Sequence, residues 1–332
     1  MSSSQSAVDF NNVVIKVFNG YGHQHSLIVY GQVKRGQKKK ERAYSFNIFR
    51  NIFSIAKLYF IKPVPSVNVR LQWDQQIIFA TADADGFFKL EWSSVESTPG
   101  GWRPIRVYLD HPGNETTFGE GKIFVPHITQ YGFISDIDDT VLVSHSGSTG
   151  KKLTTLLTTD PLKRKTFSDV VHFYQLLSLS HTEANVPNPF FYVSSSEWNL
   201  YDYLTDFFRE NKLPEGTFLL SDFKRWFELA RTGNTKHRDK GDRMRRILKV
   251  FPNQRFVLLG DNTQKDPLIY SEIANEHPDR IEAIYIRVVR AEKKAMAISA
   301  LESIRNKNIT VHLFVNTREA IEHARKIGFI GA

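Results

Sequence analysis

The chain has 332 residues, a net charge of +9 and no cysteine. This length suits two domains, and 41% apolar with 13% aromatic residues is typical of a globular protein. The absence of cysteine excludes disulfides and thiolate metal sites, and the modest excess of positive charge does not predict a nucleic-acid partner.

Residues 1–12 are polar and lack both a basic start and an apolar core. We therefore expect a disordered N-terminus that is not a secretory signal. No run of about 18 uninterrupted apolar residues occurs, so no membrane-spanning helix is expected. Together these features favour a cytoplasmic protein.

Residues 13–128 are predicted to form an all-β sandwich domain. Short apolar or alternating segments are separated by turn signals such as Asn19-Gly20 and Asp85-Gly86, which suit antiparallel hairpins. Strands at this spacing are typical of immunoglobulin-like or transthyretin-like modules. The predicted strands cover residues 13–18, 26–33, 66–71, 87–92, 105–109 and 122–125.

A basic and aromatic segment, residues 34–62, interrupts these strands. Residues 44–61 place apolar and aromatic side chains at helix-like spacings. Two interpretations stay open: the helix packs its aromatic face against a domain, or it makes peripheral contact with an anionic membrane. The basic side chains that precede it are Lys34, Arg35, Lys38, Lys39, Lys40 and Arg42.

From residue 129 the pattern changes to alternating strands and helices, which predicts an α/β domain over residues 129–332. Residues 144–188 are interpreted as a cap insertion. The predicted helices cover residues 167–177, 200–211, 236–249, 269–274, 293–304 and 317–326. The predicted strands after the first one cover residues 189–193, 217–220, 255–259, 281–288 and 310–315.

The first strand of this domain ends in Asp136 and Asp138, and Thr140 follows. Loops at the carboxyl ends of buried strands hold the chemistry of open α/β sheets. Side chains two residues apart on extended chain point the same way, so both carboxylates can face one volume. Their mutual repulsion favours a bound cation, and we expect a Mg2+ site with an aspartate nucleophile directed at phosphorus.

Two further strands also end in polar residues. Residues 189–193 lead into a serine triplet that starts at Ser194, and residues 255–259 lead to Asp261, with Asp266 five residues later. These motifs supply a hydroxyl group and a second pair of carboxylates at the same predicted edge of the sheet.

The basic segment at residues 236–249 offers a lysine for the same site. Lys240 and Lys236 both qualify by position. We favour Lys240 because apolar residues follow it at spacings of 4, 7 and 8, which places it on the buried face of a helix.

These motifs resemble the four motifs of the haloacid dehalogenase superfamily, which are an aspartate pair, a hydroxyl, a lysine and a second aspartate pair in this order. Residues 133–141, 192–201, 256–267 and 284–287 are similar, more narrowly, to the actin-patch-associated phosphatidate phosphatase family. The resemblance implies a Rossmann-like catalytic domain with a parallel central sheet. The chain departs from the family pattern at Glu197, where a proline is expected.

The resemblance implies a role for each motif residue. Asp136 would be the nucleophile that becomes an aspartyl phosphate, and Asp138 the general acid and then the base. Ser195 would contribute its backbone N–H if a helix begins there. The implied phosphate contacts are Ser194, Ser195, Thr140 and Lys240, and the implied metal ligands are Asp136, Asp138, Asp261 and Asp266.

The activity implied by the resemblance is Mg2+-dependent hydrolysis of phosphatidate to diacylglycerol and phosphate. Two alternatives stay open. The substrate could be a soluble phosphoester, with residues 144–188 selecting it by size. The chain could also be a non-catalytic adaptor that retains a phosphatase fold, although every expected catalytic residue type is present.

Overall fold

The computed structural model describes residues 12–36, 62–114, 116–127, 131–141, 169–221, 236–305 and 307–331. These residues fall into two compact units that divide between Val125 and Pro126. The predicted aromatic segment at residues 44–61 and the larger part of the predicted cap lie outside the described residues. We refer to the two parts as the β unit and the α/β unit.

The β unit contains a nine-stranded mixed sheet in its described residues. The order of neighbouring strands is β1, β3, β2, β9, β8, β5 and β6. In addition, β4 and β7 both pair with β3. Every pairing is antiparallel except that of β2 with β9. The strands are β1 (Val13–Val17), β2 (Gly20–His23), β3 (Ser26–Arg35), β4 (Lys62–Pro63), β5 (Asn68–Trp73), β6 (Gln76–Thr81), β7 (Phe87–Trp92), β8 (Gly101–Leu109) and β9 (Phe118–Val125).

Apolar and polar residues alternate along the strands of the β unit, and this alternation explains which side chains form its core. In β5 and β7 every second side chain is buried, as expected when one face of a strand packs and the other meets solvent. Val69, Leu71 and Leu90 are fully buried in the resulting apolar cluster. Burying side chains of this size stabilises the fold by about 1.5–3 kcal/mol each.

Two of the predicted turns have a different role in the structure. The predicted strands at 13–18 and 26–33 do pair antiparallel, as β1 with β3. The hairpin turn predicted between them at Asn19-Gly20 is wrong, because Gly20 begins β2 and the turn before β3 lies at residues 24–25. Asp85-Gly86 does form a turn, with Gly86 at φ +74, but the strands on either side of it, β6 and β7, pair with β5 and β3 instead of each other.

The α/β unit has a six-stranded sheet in the order β12, β11, β10, β13, β14, β15. All five pairings are parallel, which confirms the predicted α/β class and the parallel central sheet. The strands are β10 (Gly132–Ser135), β11 (Phe190–Glu197), β12 (Gly216–Ser221), β13 (Phe256–Asp261), β14 (Ile281–Arg287) and β15 (Thr310–Phe314). The helices are α1 (Val170–Ser178), α2 (Tyr201–Glu210), α3 (Lys236–Val250), α4 (Asp266–Glu276), α5 (Lys294–Leu301) and α6 (Thr317–Lys326).

Strand β10 lies between β11 and β13, with Ile134 opposite Phe191 on one side and Leu258 on the other. The stretches of these strands that precede their polar carboxyl ends are apolar, because parallel strands of this kind are covered on both faces. Their carboxyl ends meet at one edge of the sheet, which brings residues far apart in sequence to the same place. No helix within the described residues is both long and apolar enough to cross a bilayer.

Candidate active site

The ends of β10 and β13 bring three buried carboxylates together. Oxygen atoms of Asp136, Asp261 and Asp266 lie within 4.8 Å of one another, and all three residues are at most 2% exposed. Asp136 is held at this point by its backbone N–H, which donates to the carbonyl of Leu259 on β13. The predicted meeting of two strand tips is therefore present in the structure.

Lys240 bridges two of these carboxylates. Its Nζ lies 2.7 Å from Asp136 Oδ1 and 2.5 Å from Asp266 Oδ1. Helix α3 buries Met244, Ile247 and Leu248, and Lys240 shares that buried face with only 6% exposure. Among the residues whose side chains the structure describes, Lys240 is thus the lysine beside the acids, although its part in binding phosphate stays a prediction.

The cluster carries an electrostatic imbalance. Burial raises the pKa of Asp136 well above its usual range. The charge of Lys240 offsets this increase only in part, and the neighbouring carboxylates add to it. Burial and the charge of Asp266 raise the pKa of Asp261 to about 7. Burial alone would lower the pKa of Lys240, but Asp136 and Asp266 outweigh it and keep the ammonium charged. Three ionised carboxylates and one ammonium would leave two negative charges in a buried volume.

The start of the loop after β13 is fixed by one contact from the loop after β10 and one within the loop itself. Thr140 Oγ1 donates to Asp261 Oδ2 at 3.1 Å, and the backbone N–H of Thr263 donates to Asp261 Oδ1 at 2.5 Å. Gly260 allows the close approach of the second aspartate pair, because a Cβ there would lie 2.8 Å from Asp266 Oδ2. Thr140 therefore contacts a carboxylate, and its predicted contact with phosphate stays a prediction.

Asp138 and Ser194 form a second contact next to the acid cluster. Ser194 Oγ donates to Asp138 Oδ2 at 3.2 Å, and both residues are buried. Strand β11 continues to Glu197, so the condition set for the Ser195 backbone N–H, a helix that begins at Ser195, is not met. Ser194 Oγ instead accepts a hydrogen bond from the backbone N–H of Ser196 at 3.0 Å. Pairing of Glu197 with Ser221 explains the longer strand.

Arg243 is a residue that the sequence analysis missed. It lies one turn after Lys240 on α3, and its Nη1 donates to the carbonyls of Ser194 at 2.8 Å and Leu219 at 2.6 Å. One helix therefore places an ammonium among the acids and ties the serine strand β11 to β12. No signal in the sequence identified Arg243, because α3 is rich in basic residues and no spacing distinguishes a half-buried arginine from a solvated one there.

Asn262, next to Asp261, is the second residue that was missed. Its Oδ1 accepts hydrogen bonds from the backbone N–H groups of Val289 at 2.8 Å and Arg290 at 2.9 Å. The side chain therefore joins the loop after β13 to the loop after β14. Its position in the motif, directly after a strand-end aspartate, was a signal that could have identified it.

Comparisons with known proteins point to one family. Residues 131–288 match the family model described as phosphatidate phosphatase APP1, catalytic domain. Phosphatidate phosphatase APP1 of Saccharomyces cerevisiae is 30% identical over 226 residues, which cover 66% of this chain and 36% of that protein. An uncharacterized protein of Schizosaccharomyces pombe is 30% identical over 174 residues, covering 51% of this chain and 27% of that protein. The chain thus matches well under half the length of both relatives.

Among solved structures, a carbohydrate acetylesterase from Xanthomonas citri aligns with 86% of this chain and 72% of its own, at 11% identity. The TM-score of that alignment is 0.27, which is too low to carry an argument about fold or function.

Proposed function

We propose, from the premise that residues 131–288 belong to the phosphatidate phosphatase APP1 catalytic-domain family, that this chain hydrolyses a phosphomonoester. The family resemblance deduced from the motifs is confirmed by this match. The observation that carries the proposal is the contact of Lys240 with Asp136 and Asp266 at the carboxyl edge of the sheet. A buried cation beside a buried carboxylate suits the transfer of a charged phosphoryl group.

The finer fold assignments are part of the same proposal. Parallel strands with acids at their carboxyl ends support a Rossmann-like, haloacid dehalogenase-type fold for residues 129–332. The many-stranded mixed sheet with one apolar cluster supports a sandwich of the immunoglobulin-like or transthyretin-like kind for residues 13–128. We keep residues 144–188 as the proposed cap insertion.

The carboxylate of Asp136 would attack phosphorus while the bond between phosphorus and the leaving oxygen breaks. Asp138 would donate a proton to that oxygen, so the alcohol leaves neutral and an aspartyl phosphate remains. Asp138 would then take a proton from water, whose oxygen attacks phosphorus, releasing phosphate and restoring Asp136. Lys240 would stabilise the charge that develops on the phosphoryl oxygens, and Ser194 would position one of them.

The carboxylate cluster fits a hard divalent cation. Its ligand atoms are all carboxylate oxygens, which Mg2+ prefers, and Asp136 Oδ2 is buried without a hydrogen-bond partner among the described residues. We propose that Asp136 and Asp261 hold Mg2+, with Asp266 beside them and Asp138 contributing from the same loop. Bound Mg2+ would polarise the phosphoryl oxygens and offset the negative charge of the site.

The proposed substrate is a lipid phosphomonoester, phosphatidate, which would give diacylglycerol and phosphate. The name of the Saccharomyces cerevisiae relative supports this choice. A lipid substrate also requires contact with a membrane, and the basic segment at residues 34–62 stays a proposed contributor to it.

Phosphate release by the full chain tests the proposal. With Mg2+, we expect turnover of an aryl phosphate and of phosphatidate in vesicles, and Asp136→Asn should lower both by at least about a thousandfold. Activity only on soluble phosphate esters would replace the lipid substrate with a soluble one. Absence of any Mg2+-dependent turnover would leave the adaptor interpretation in place of the enzyme.

A further inference from the structure

Four large apolar side chains are exposed at the edge of the α/β unit that holds the acids. The exposed fraction is 49% for Leu268, 38% for Val289, 69% for Met296 and 62% for Val315. We call these four residues the apolar rim. Solvent exposure of several large apolar side chains in one region marks an interaction surface more often than isolated exposed residues do.

The topology explains why the apolar rim lies in one region. Its residues follow β13, β14 and β15, which are neighbouring parallel strands with their carboxyl ends at one edge. Hydrogen bonds connect the loops: Asn262 Oδ1 accepts from the backbone N–H of Val289, and Lys293 Nζ donates to the carbonyl of Thr263 at 2.6 Å. The loop after β13 begins at Asp261, which pairs with Arg287 at the end of β14, so the rim borders the candidate active site.

Helix α5 adds a second observation. It carries Met296, and most of its eight residues are exposed, yet its only charged side chain is Lys294 at the first position. A helix on a protein surface normally turns charged residues to solvent. The exposed side of α5 instead presents Met296 and Ile298, the latter 46% exposed.

The charges around the apolar rim select the kind of partner. The segments that carry the rim are residues 262–268, 288–296 and 315–319. Arg318 in the last of them pairs with Asp169 at 3.0 Å, and the remaining four cations against two exposed carboxylates give an excess of two positive charges. The cations are Lys265, Arg290, Lys293 and Lys294, and the carboxylates are Glu292 and Glu319. Apolar side chains flanked by cations suit the interface of an anionic bilayer, because the cations are attracted to the headgroups while the apolar side chains enter the boundary of the acyl chains.

We propose that the apolar rim docks the α/β unit onto an anionic lipid bilayer, with the carboxylate cluster facing the headgroups. The inference rests on the proposed function. Pulling a lipid out of its bilayer exposes its acyl chains to water, which is unfavourable for every CH2 group, so the enzyme must approach the surface. Docking through the edge that holds Asp136 brings nucleophile and headgroup together.

Co-sedimentation of the full chain with vesicles tests the docking. Wild-type protein should bind phosphatidylcholine vesicles that contain phosphatidate or phosphatidylserine, and bind pure phosphatidylcholine weakly. The double variant Lys265→Gln/Lys294→Gln removes two of the cations near the apolar rim and should weaken binding about fivefold per charge. Met296→Ser/Val315→Ser should weaken it at least about tenfold, because two apolar side chains lose their burial.

A matched control lies on the β unit, where Ile77 and Phe79 are exposed by 54% and 60%. Ile77→Ser/Phe79→Ser should leave vesicle binding unchanged. All variants should keep wild-type turnover of a soluble aryl phosphate, and the rim variants should lose turnover of vesicular phosphatidate.

Three outcomes would overturn the docking: no vesicle binding by wild type, equal loss in the β-unit control, or rim variants that dissociate a dimer while binding vesicles normally. Failure of the proposed function can be recognised separately. A chain that releases no phosphate but binds vesicles through the apolar rim would refute the proposed hydrolysis and support the docking.

Discussion

The buried residues of the β unit are almost all apolar, whereas the α/β unit buries charged side chains at one edge of its sheet. In the described part of the β unit, Ser94 is the buried polar residue, and it accepts a hydrogen bond from Trp73 Nε1 at 3.0 Å. The α/β unit buries Asp136, Asp261 and Lys240. Burying a charge costs several kcal/mol per ion unless it is compensated. The buried charges of the α/β unit are therefore better explained by a role in the proposed reaction than by a contribution to stability.

The largest effect should come from removing the buried cation. Lys240→Met leaves Asp136 and Asp266 without their partner and should lower the free energy of unfolding by about 3–5 kcal/mol. Chemical denaturation would measure it. Lys249→Met, on the exposed side of the same helix, should change stability by less than about 0.5 kcal/mol. Equal losses in the two variants would contradict the role of Lys240 as the buried cation that compensates the carboxylates.

An apolar truncation provides the corresponding test of the β unit. Leu71→Ala should lower the free energy of unfolding by about 3 kcal/mol, because Leu71 is fully buried in the apolar cluster. Ile77→Ala on the neighbouring strand β6 should have little effect, since that side chain is 54% exposed. Thermal or denaturant unfolding followed by tryptophan fluorescence would compare the pair. A small loss in Leu71→Ala would contradict the packing described.

A smaller effect on stability is expected at Arg243, whose guanidinium holds two backbone carbonyls. Arg243→Lys keeps the charge but cannot hold the carbonyls of Ser194 and Leu219 together, and should cost about 1–3 kcal/mol of stability. Displacement of Ser194 should also raise KM for an aryl phosphate more than it lowers kcat. Unchanged KM with reduced stability would make Arg243 purely structural.

The smallest effect concerns pH. Because the pKa of Asp261 is raised to about 7, the metal-free fold binds its proton more tightly than the unfolded chain and loses that stability as pH rises from about 4 through 7. Mg2+ needs the ionised carboxylate, so its apparent affinity should be about tenfold weaker at pH 6 than at pH 8.

Thermal unfolding with and without Mg2+ would measure this dependence without any activity assay. The stabilisation by Mg2+ should be about 1.4 kcal/mol smaller at pH 6 than at pH 8. Mg2+-free buffer brought to the same ionic strength with NaCl is the control. A Mg2+ effect that does not depend on pH would place the cation away from Asp261.

Local patterns in the sequence predicted a large part of the fold. The helix expected at residues 317–326 is α6 as observed, and the segment at 236–249 is α3 with one more residue. Strands β2 and β6 were missed for different reasons. Strand β2 contains two glycines in four residues, and β6 exposes Ile77 and Phe79, so both depend on their neighbours in the sheet for their conformation.

The sequence by itself determined which residue types stand at the strand ends, because hydrophobic periodicity and turn chemistry are local properties. It therefore indicated Asp136, Asp261 and Lys240 as members of one site. Only the tertiary structure decided their geometry. The sheet order places β10 beside β13, about 120 residues later in the chain, and the packing of α3 decides which basic side chains turn inward.

That packing also explains what could not be predicted. Lys240 reaches the acids and Arg243 reaches the strand carbonyls because α3 lies against the sheet in one orientation. Likewise, β11 continues to Glu197, which pairs with Ser221 of β12 after a register shift, so Ser195 lies in a strand and not at a helix start. Contacts between distant segments are set by the whole core, so no window of sequence contains them.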